Sequence, residues 1–216
     1  MHYRLIPNSF HFENLSLFNT SYRGLHMKNN TYENDVRILG GKFKGKLLPV
    51  LDVEGLRPTP SRVRETIFSW IKDSLGNAKV LDLFAGSGAL GLEAYSRGAK
   101  DVTLVELDKD NSSNLKVIAK SMSYDEIHVI NDDALHFLDN VSSTFNIVFI
   151  DPPYKLDIYE KVLEKLLDKN LIDDDSLIYV EMRNGSNKIV TGYEIIREEN
   201  AGQSKYSLWT KSKLLF

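Results

Sequence analysis

Cysteine is absent from the 216 residues of this chain. That excludes a cysteine-ligated zinc or iron–sulfur centre and any catalysis by a thiolate nucleophile, including the thiolate attack that activates a pyrimidine for substitution at C5. Histidine is sparse, and positions 2, 11, 26, 128 and 136 show no metal-ligand spacing, so no metal centre is expected. No apolar run approaches the ~18 residues of a membrane span, and no charged start followed by an apolar segment marks export, so a cytoplasmic protein is expected. The two tryptophans, Trp70 and Trp209, read as packing anchors rather than stacking platforms. No low-complexity segment breaks the chain. At ~100–200 residues per domain its length fits a single domain able to bury a substantial core.

Charge is unevenly distributed. Between Asp35 and Lys72 eight basic side chains stand against four acidic ones, a local +4, which leaves −7 to the rest of a chain whose net charge is −3. A basic module on an acidic body suits a polyanion that touches one face, although an ordinary solvated surface has the same pattern. Residues 1–34 carry scattered aromatics, Asn and Ser, and are expected to be a disordered extension or a mis-assigned start, with Met27 an alternative initiator. Residues 35–216 form the expected domain, with a basic hairpin and helix at 35–75. Two apolar runs flank Gly40-Gly41-Lys42-Phe43-Lys44-Gly45 and predict a β-hairpin with Lys42 and Lys44 near its tip. A helix follows, with Thr59 expected as N-cap and Pro60 in the first turn. Val63, Ile67, Trp70 and Ile71 recur at helical spacing as its core stripe, leaving Arg62 and Arg64 toward solvent or a substrate, or paired with Glu65 or Asp73.

Beyond Lys79 strands and helices alternate. Strands are predicted at 78–85, 101–107, 127–131, 145–151 and 176–183, with helices at 88–97, 109–122, 133–139 and 156–168 between them. Two closing strands near 192–198 and 204–212 lack an intervening helix. The pattern implies a mostly parallel sheet with helices on both faces and an antiparallel hairpin at one edge. In such a sheet ligands bind at the carboxyl ends of the strands, where Gly86, Glu106, Asp133 and Asp151 fall.

Two of those ends carry chemistry. After the apolar run 145–150, Asp151-Pro152-Pro153-Tyr154 presents a carboxylate, carbonyls without neighbouring N–H groups, and an aromatic face. Asp151 and the Pro152 carbonyl suit the two N–H donors of an exocyclic amine, and Tyr154 suits the base, though the same residues also make a turn. Upstream, Val80–Ala85 leads into Gly86-Ser87-Gly88-Ala89-Leu90-Gly91 and a helix, a strand–turn–helix in which Gly86 and Gly88 allow close ligand approach. Glu106 follows at the end of the next strand, placed for the hydroxyls of a ribose. These residues also match a dinucleotide fingerprint, but Asp82 just before the turn disfavours a pyrophosphate and favours the cationic S-adenosylmethionine over NAD. Asp133 suits an adenine contact and the N-cap of the next helix equally.

With these motifs in order the chain resembles class I S-adenosylmethionine-dependent methyltransferases. More narrowly, it is similar to the bacterial small-subunit ribosomal RNA guanine-N2 methyltransferase family. The resemblance runs from Arg37-Ile38-Leu39-Gly40-Gly41 through Arg57-Pro58-Thr59 and Arg62-Val63-Arg64-Glu65. It continues through the stretch Asp82 to Ala94, Asp133-Ala134 and Asp151-Pro152-Pro153-Tyr154, and ends near Ala201-Gly202-Gln203. It implies a Rossmann-like seven-stranded sheet of order 3-2-1-4-5-7-6 with S-adenosylmethionine as cofactor. Donor contacts are implied from Asp82, Gly86, Ser87, Gly88, Glu106, Asp133 and Ala134. Asp151, Pro152 and Tyr154 are the implied catalytic residues, and Lys42, Lys44, Arg57, Arg62 and Arg64 the RNA contacts. The partner would be small-subunit ribosomal RNA, free or in a partly assembled subunit, and the enzyme a monomer. An adenine-N6 DNA methyltransferase and a non-catalytic RNA-binding assembly factor are the rival readings. The short chain, without an inserted DNA-recognition domain, stands against the first, and the intact motif set against the second.

Overall fold

The computed structural model of the protein describes residues 36–51, 59–123, 125–153, 155–186 and 190–213. The expected extension 1–34, Arg57 and Tyr154 lie outside them.

Strand β1 (Val36–Arg37) pairs antiparallel with β2 (Leu47–Leu48), and α1 (Ser61–Trp70) follows. The body then alternates: β3 (Lys79–Asp82), α2 (Ala89–Ser96), β4 (Asp101–Glu106), α3 (Lys109–Lys120), β5 (Ile127–Asn131), α4 (Ala134–Asn140), β6 (Ile147–Ile150), α5 (Tyr159–Asp168) and β7 (Leu177–Arg183). It closes with β8 (Tyr193–Ala201) and β9 (Ser204–Lys211). The seven strands lie in the order β5-β4-β3-β6-β7-β9-β8, which is the expected 3-2-1-4-5-7-6 arrangement. Strands β3 to β7 are mutually parallel, and β9 runs antiparallel to both β7 and β8.

The period-2 geometry of a strand sorts the core into two layers. Val80, Leu104, Ile147, Phe149 and Tyr179 face α1, α2 and α3, whereas Leu81, Val105, Val148, Ile150 and Val180 face α4 and α5. Covered on both faces, β6 is buried at every position, which is why its sequence is an unbroken apolar run. Both tryptophans pack as expected. Trp70 stacks on Tyr206 at 5.6 Å between ring centroids, and buried Trp209 donates from Nε1 to Ser207 Oγ at 2.6 Å. Edge strand β8 carries Glu194, Arg197, Glu198 and Glu199 and a bulge between Ile195 and Arg197, features that discourage pairing with another sheet.

Two expectations at the N-terminal module are corrected. The residue flanking α1 is Pro60, and no side chain caps the helix. Thr59 stands one residue too early to cap, and its hydroxyl is committed elsewhere. Arg64, expected at the surface, is 2% exposed. Positions 64, 67, 68 and 71 form an i, i+3, i+4, i+7 set, so Arg64 shares the buried stripe with Ile67, Phe68 and Ile71. Its Nε donates to the Thr59 carbonyl at 3.2 Å, one terminal nitrogen to the Arg37 carbonyl at 3.0 Å and the other to Ser61 Oγ at 3.4 Å. The ionic partner is Glu93 of α2, 3.5 Å away, rather than Glu65 or Asp73. Burial lowers the Arg64 pKa from its ordinary value, and the charge of Glu93 opposes that shift.

Fully buried Glu93 accepts from the Leu39 and Gly40 N–H groups at 2.7 and 2.8 Å and from Arg97 Nε at 2.6 Å. One carboxylate therefore ties the segment after β1, helix α1 and helix α2 together. Arg62, by contrast, is exposed, as are Lys42 and Lys44 in the turn between β1 and β2.

Candidate functional site

Strand β3 ends at Asp82, and the chain reaches α2 through a glycine turn. Leu83 N–H still donates to the Phe149 carbonyl and Ala85 N–H to the Val105 carbonyl, so the turn is anchored to strands on both sides. Gly88 adopts φ +75°, and a Cβ there would lie 2.8 Å from both Leu115 Cδ2 and Leu92 Cδ1. At Gly91 a Cβ would meet Leu104 Cδ2 at 2.2 Å. Gly88 is thus demanded by its left-handed backbone as well as by the leucines around it, and helical Gly91 by close packing alone. Buried Asp82 accepts from the Gly91 N–H at 2.9 Å, which pins the first turn of α2 to the strand end. Its pKa is pushed up to about 7, chiefly by burial; the Gly91 bond works against the shift and the charge of Glu106 adds to it.

Glu106, the last residue of β4, reaches the same turn. Its Oε2 accepts from the Gly86 N–H at 2.8 Å and from Asn111 Nδ2 at 3.0 Å, and its Oε1 accepts from the Asp108 N–H at 2.8 Å. Burial raises its pKa, and the bond from Asp108, then those from Asn111 and Gly86, oppose the rise. Asn111 also donates to the Gly86 carbonyl at 2.6 Å. Asp108, in turn, caps α3 by accepting from the Asn111 N–H at 2.8 Å. Between these two acids Leu107 is 67% exposed. An apolar side chain placed directly after a strand-end acid was the available sequence signal for it, and the reading from sequence missed it.

Asp133 follows β5 and caps α4, accepting at Oδ1 from the Leu135 and His136 N–H groups at 2.9 and 3.1 Å. Neighbouring Ala134 is buried, as is Ser87 in the glycine turn. Asp82, Gly86, Ser87, Gly88, Glu106, Asp133 and Ala134 therefore all lie at or just beyond the carboxyl ends of β3, β4 and β5.

The next strand end is that of β6, beside β3. Asp151 stands there with partial solvent contact, and its Oδ2 accepts from the Thr59 hydroxyl at 3.0 Å. Ile150 lies opposite Val180, so Asp151 and the buried Glu181 emerge side by side. Enclosure by protein pushes the Asp151 pKa well above the usual carboxylate range, and the charges of Glu181 and then Asp82 add to this, while the Thr59 bond opposes it. Pro152 is buried, and among the described residues no hydrogen bond engages its carbonyl. The Pro153 carbonyl accepts from the Leu156 N–H at 2.8 Å, so the segment is also a turn. Glu181 and Thr59 are further residues at this position that sequence reasoning did not connect to Asp151.

The arrangement juxtaposes a glycine turn, a strand-end acid poised at that turn, and a group of buried carboxylates on the adjoining strands. That combination suits a ligand with cationic character and amine donors better than a pyrophosphate.

Comparison with known proteins identifies the family. A family model described as "Conserved hypothetical protein 95" matches residues 36–210. "Ribosomal RNA small subunit methyltransferase D" of Escherichia coli is 40% identical over 185 residues, 85% of this chain and 93% of the relative. The chain belongs to the ribosomal RNA small subunit methyltransferase D family. Its Haemophilus influenzae member is 38% identical, over 82% of this chain and 94% of that protein. A solved Escherichia coli structure superposes with a TM-score of 0.76 at 39% identity, covering 82% of this chain and 98% of that one. A solved Thermus thermophilus protein gives 0.68 at 29% identity, covering 80% and 98%. The matched region contains both motif loops and the N-terminal hairpin and helix, and among the described residues no helix is long and apolar enough to cross a membrane.

Proposed function

We propose that this protein transfers a methyl group from S-adenosylmethionine to the exocyclic N2 of a guanine in small-subunit ribosomal RNA. The observation that carries the reading is the enclosed Asp151 carboxylate at the end of β6, directly beside the glycine turn that leaves β3. When bound, the cofactor supplies a methyl group already activated by a sulfonium.

The chain's own residues then have to bind, orient and hold protons. Glu106 is placed for the ribose hydroxyls, exposed Leu107 for the face of the purine, and Asp133 and Ala134 for its edge. Asp82 contributes negative potential near the cation. Asp151 and the Pro152 carbonyl accept from the two N–H groups of the target amine, which draws the nitrogen lone pair out of the ring and aims it at the electrophile. Tyr154 is assigned to stacking on the base. No strong general base is needed before attack, because the amine proton becomes acidic only as nitrogen gains positive charge. Lys42, Lys44, Arg57 and Arg62 would meet RNA phosphates, whereas buried Arg64 supports the module from within. The target is best supplied from a loop, since in an A-form helix the guanine is stacked and one N–H of its amine is used in the base pair, which leaves it unable to offer both to Asp151 and the Pro152 carbonyl. No membrane or metal takes part in this reading, and a monomer suffices.

Methylation of small-subunit ribosomal RNA lacking the modification, free or partly protein-bound, tests the proposal after digestion to nucleosides and mass analysis. N2-methylguanosine is the expected product; N6-methyladenine as main product, or equal methylation of duplex DNA, would overturn it.

Calorimetry tests the donor site separately. S-adenosylmethionine and S-adenosylhomocysteine should bind and NAD should not. Glu106→Ala should weaken donor binding by about 1.5–3 kcal/mol, the cost of a lost hydrogen bond to a charged group. Because Asp82 titrates near 7 and only its charged form attracts a cation, affinity for S-adenosylmethionine should rise from pH 6 to pH 8. Comparable NAD affinity, or a Glu106→Ala variant that binds the donor normally, would remove the assignment.

A further inference from the structure

We infer that Thr59 is a positioning residue for the transfer step, holding the Asp151 carboxylate in one orientation through its hydroxyl while leaving the second carboxylate oxygen to the substrate amine. The inference rests on the proposed role of Asp151.

Thr59 and Asp151 are 92 residues apart in sequence, yet the hydroxyl lies 3.0 Å from Oδ2. Thr59 is buried, at 7% exposure, and this hydroxyl caps no helix. A carboxylate bonded at one oxygen loses its freedom to rotate about χ2, and among the described residues none engages Oδ1. The donor is itself braced. The Thr59 carbonyl accepts from Arg64, whose guanidinium is anchored on Arg37, Ser61 and Glu93, and a β-branched side chain has a restricted χ1. Serine would keep the bond on a looser arm.

The bond also acts on charge. Asp151 is faced by Glu181 from β7 and by Asp82 from β3, and both disfavour its ionised form, as does enclosure by protein. A hydroxyl donor favours that form, and the ionised carboxylate accepts from an amine without competing as a donor. Removing the hydroxyl therefore raises the pKa of Asp151, and the acid limb of the kcat–pH profile should move to higher pH.

Thr59→Val keeps the shape and removes the donor; Thr59→Ser restores a donor. With full-length protein, unmodified small-subunit RNA and S-adenosylmethionine, Thr59→Val should lower kcat about ten- to one-hundredfold, the cost of losing a hydrogen bond to a charged group. Donor affinity by calorimetry should stay unchanged and the acid limb should move upward. Thr59→Ser should recover most of kcat and return the limb toward its original position. In an Asp151→Ala background, Thr59→Val should cost nothing further, since the two act through one contact. If Thr59→Val keeps kcat and its acid limb while Asp151→Ala loses turnover, the inference fails and the proposed function stands. A Thr59→Ser variant as slow as Thr59→Val, or a full additional loss in the Asp151→Ala background, would also overturn it. Should Asp151→Ala retain its rate, the proposed role of Asp151 falls and this inference with it.

Discussion

Replacing Asp151 by alanine should abolish most turnover, on the order of 10²–10³-fold in kcat, as for other single preorganised groups that stabilise a developing charge. Donor affinity should be unchanged, because Asp151 is assigned to the reacting amine and its contribution appears in the transition state. The variant should fold at least as well as the parent. Asp151 is enclosed next to Glu181 and Asp82, and its pKa in the folded protein lies well above that of an exposed carboxyl. Between the unfolded and folded values the native state binds more protons than the unfolded chain, so stability falls as pH rises through that window. Alanine removes the burden, and its advantage should be largest above the window. The checks are single-turnover kinetics with saturating donor, calorimetry, and thermal melts at several pH values. A near-normal rate would leave Asp151-Pro152-Pro153 as the turn that the Pro153–Leu156 hydrogen bond already shows it to be.

The second large effect should appear in stability. Glu93→Ala removes the acceptor for the Leu39 and Gly40 N–H groups and leaves buried Arg64 without its counter-charge. Breaking a buried ion pair from one side costs about 3–5 kcal/mol, which for a domain of this size lowers Tm by roughly 10 °C or more. Glu93→Gln should fall between, because one oxygen acceptor survives while the amide nitrogen faces a donor. Thermal melts of the three proteins, with urea titrations beside them, would decide it. Glu93→Ala within a degree or two of the parent Tm would show that the N-terminal module is held by apolar packing alone.

Much of this protein could be read from local patterns. The unbroken apolar run of β6 signals a strand buried on both faces. The succession of strands and helices predicts the parallel sheet, and the final helix-free pair predicts its antiparallel edge. Gly86, Gly88, Glu106 and Asp151 fall at strand ends because motif spacing and strand boundaries are set within a few residues of one another. Element limits were the looser part: β3 stops at Asp82, where the expected strand ran to 85, since the turn beyond keeps only single hydrogen bonds to β4 and β6. Local sequence therefore sets the order of elements and the loops on which chemistry-bearing residues sit.

Which side chains meet across the fold was decided only by tertiary structure. Arg64 looked like a solvent-facing partner for nucleic acid, and Glu93 like one more letter of a helix. Each is buried only because the other, with the Leu39 and Gly40 N–H groups, arrives to compensate its charge. Thr59 looked like a helix cap, and its true acceptor lies 92 positions away. Periodicity tells which face of an element is covered, through the geometry of 3.6 and 2 residues per repeat. It carries no information on what covers that face. Polar pairs are stable in a core only when the partner is present at hydrogen-bond distance, and that condition is met by packing the N-terminal module against α2 and the end of β6.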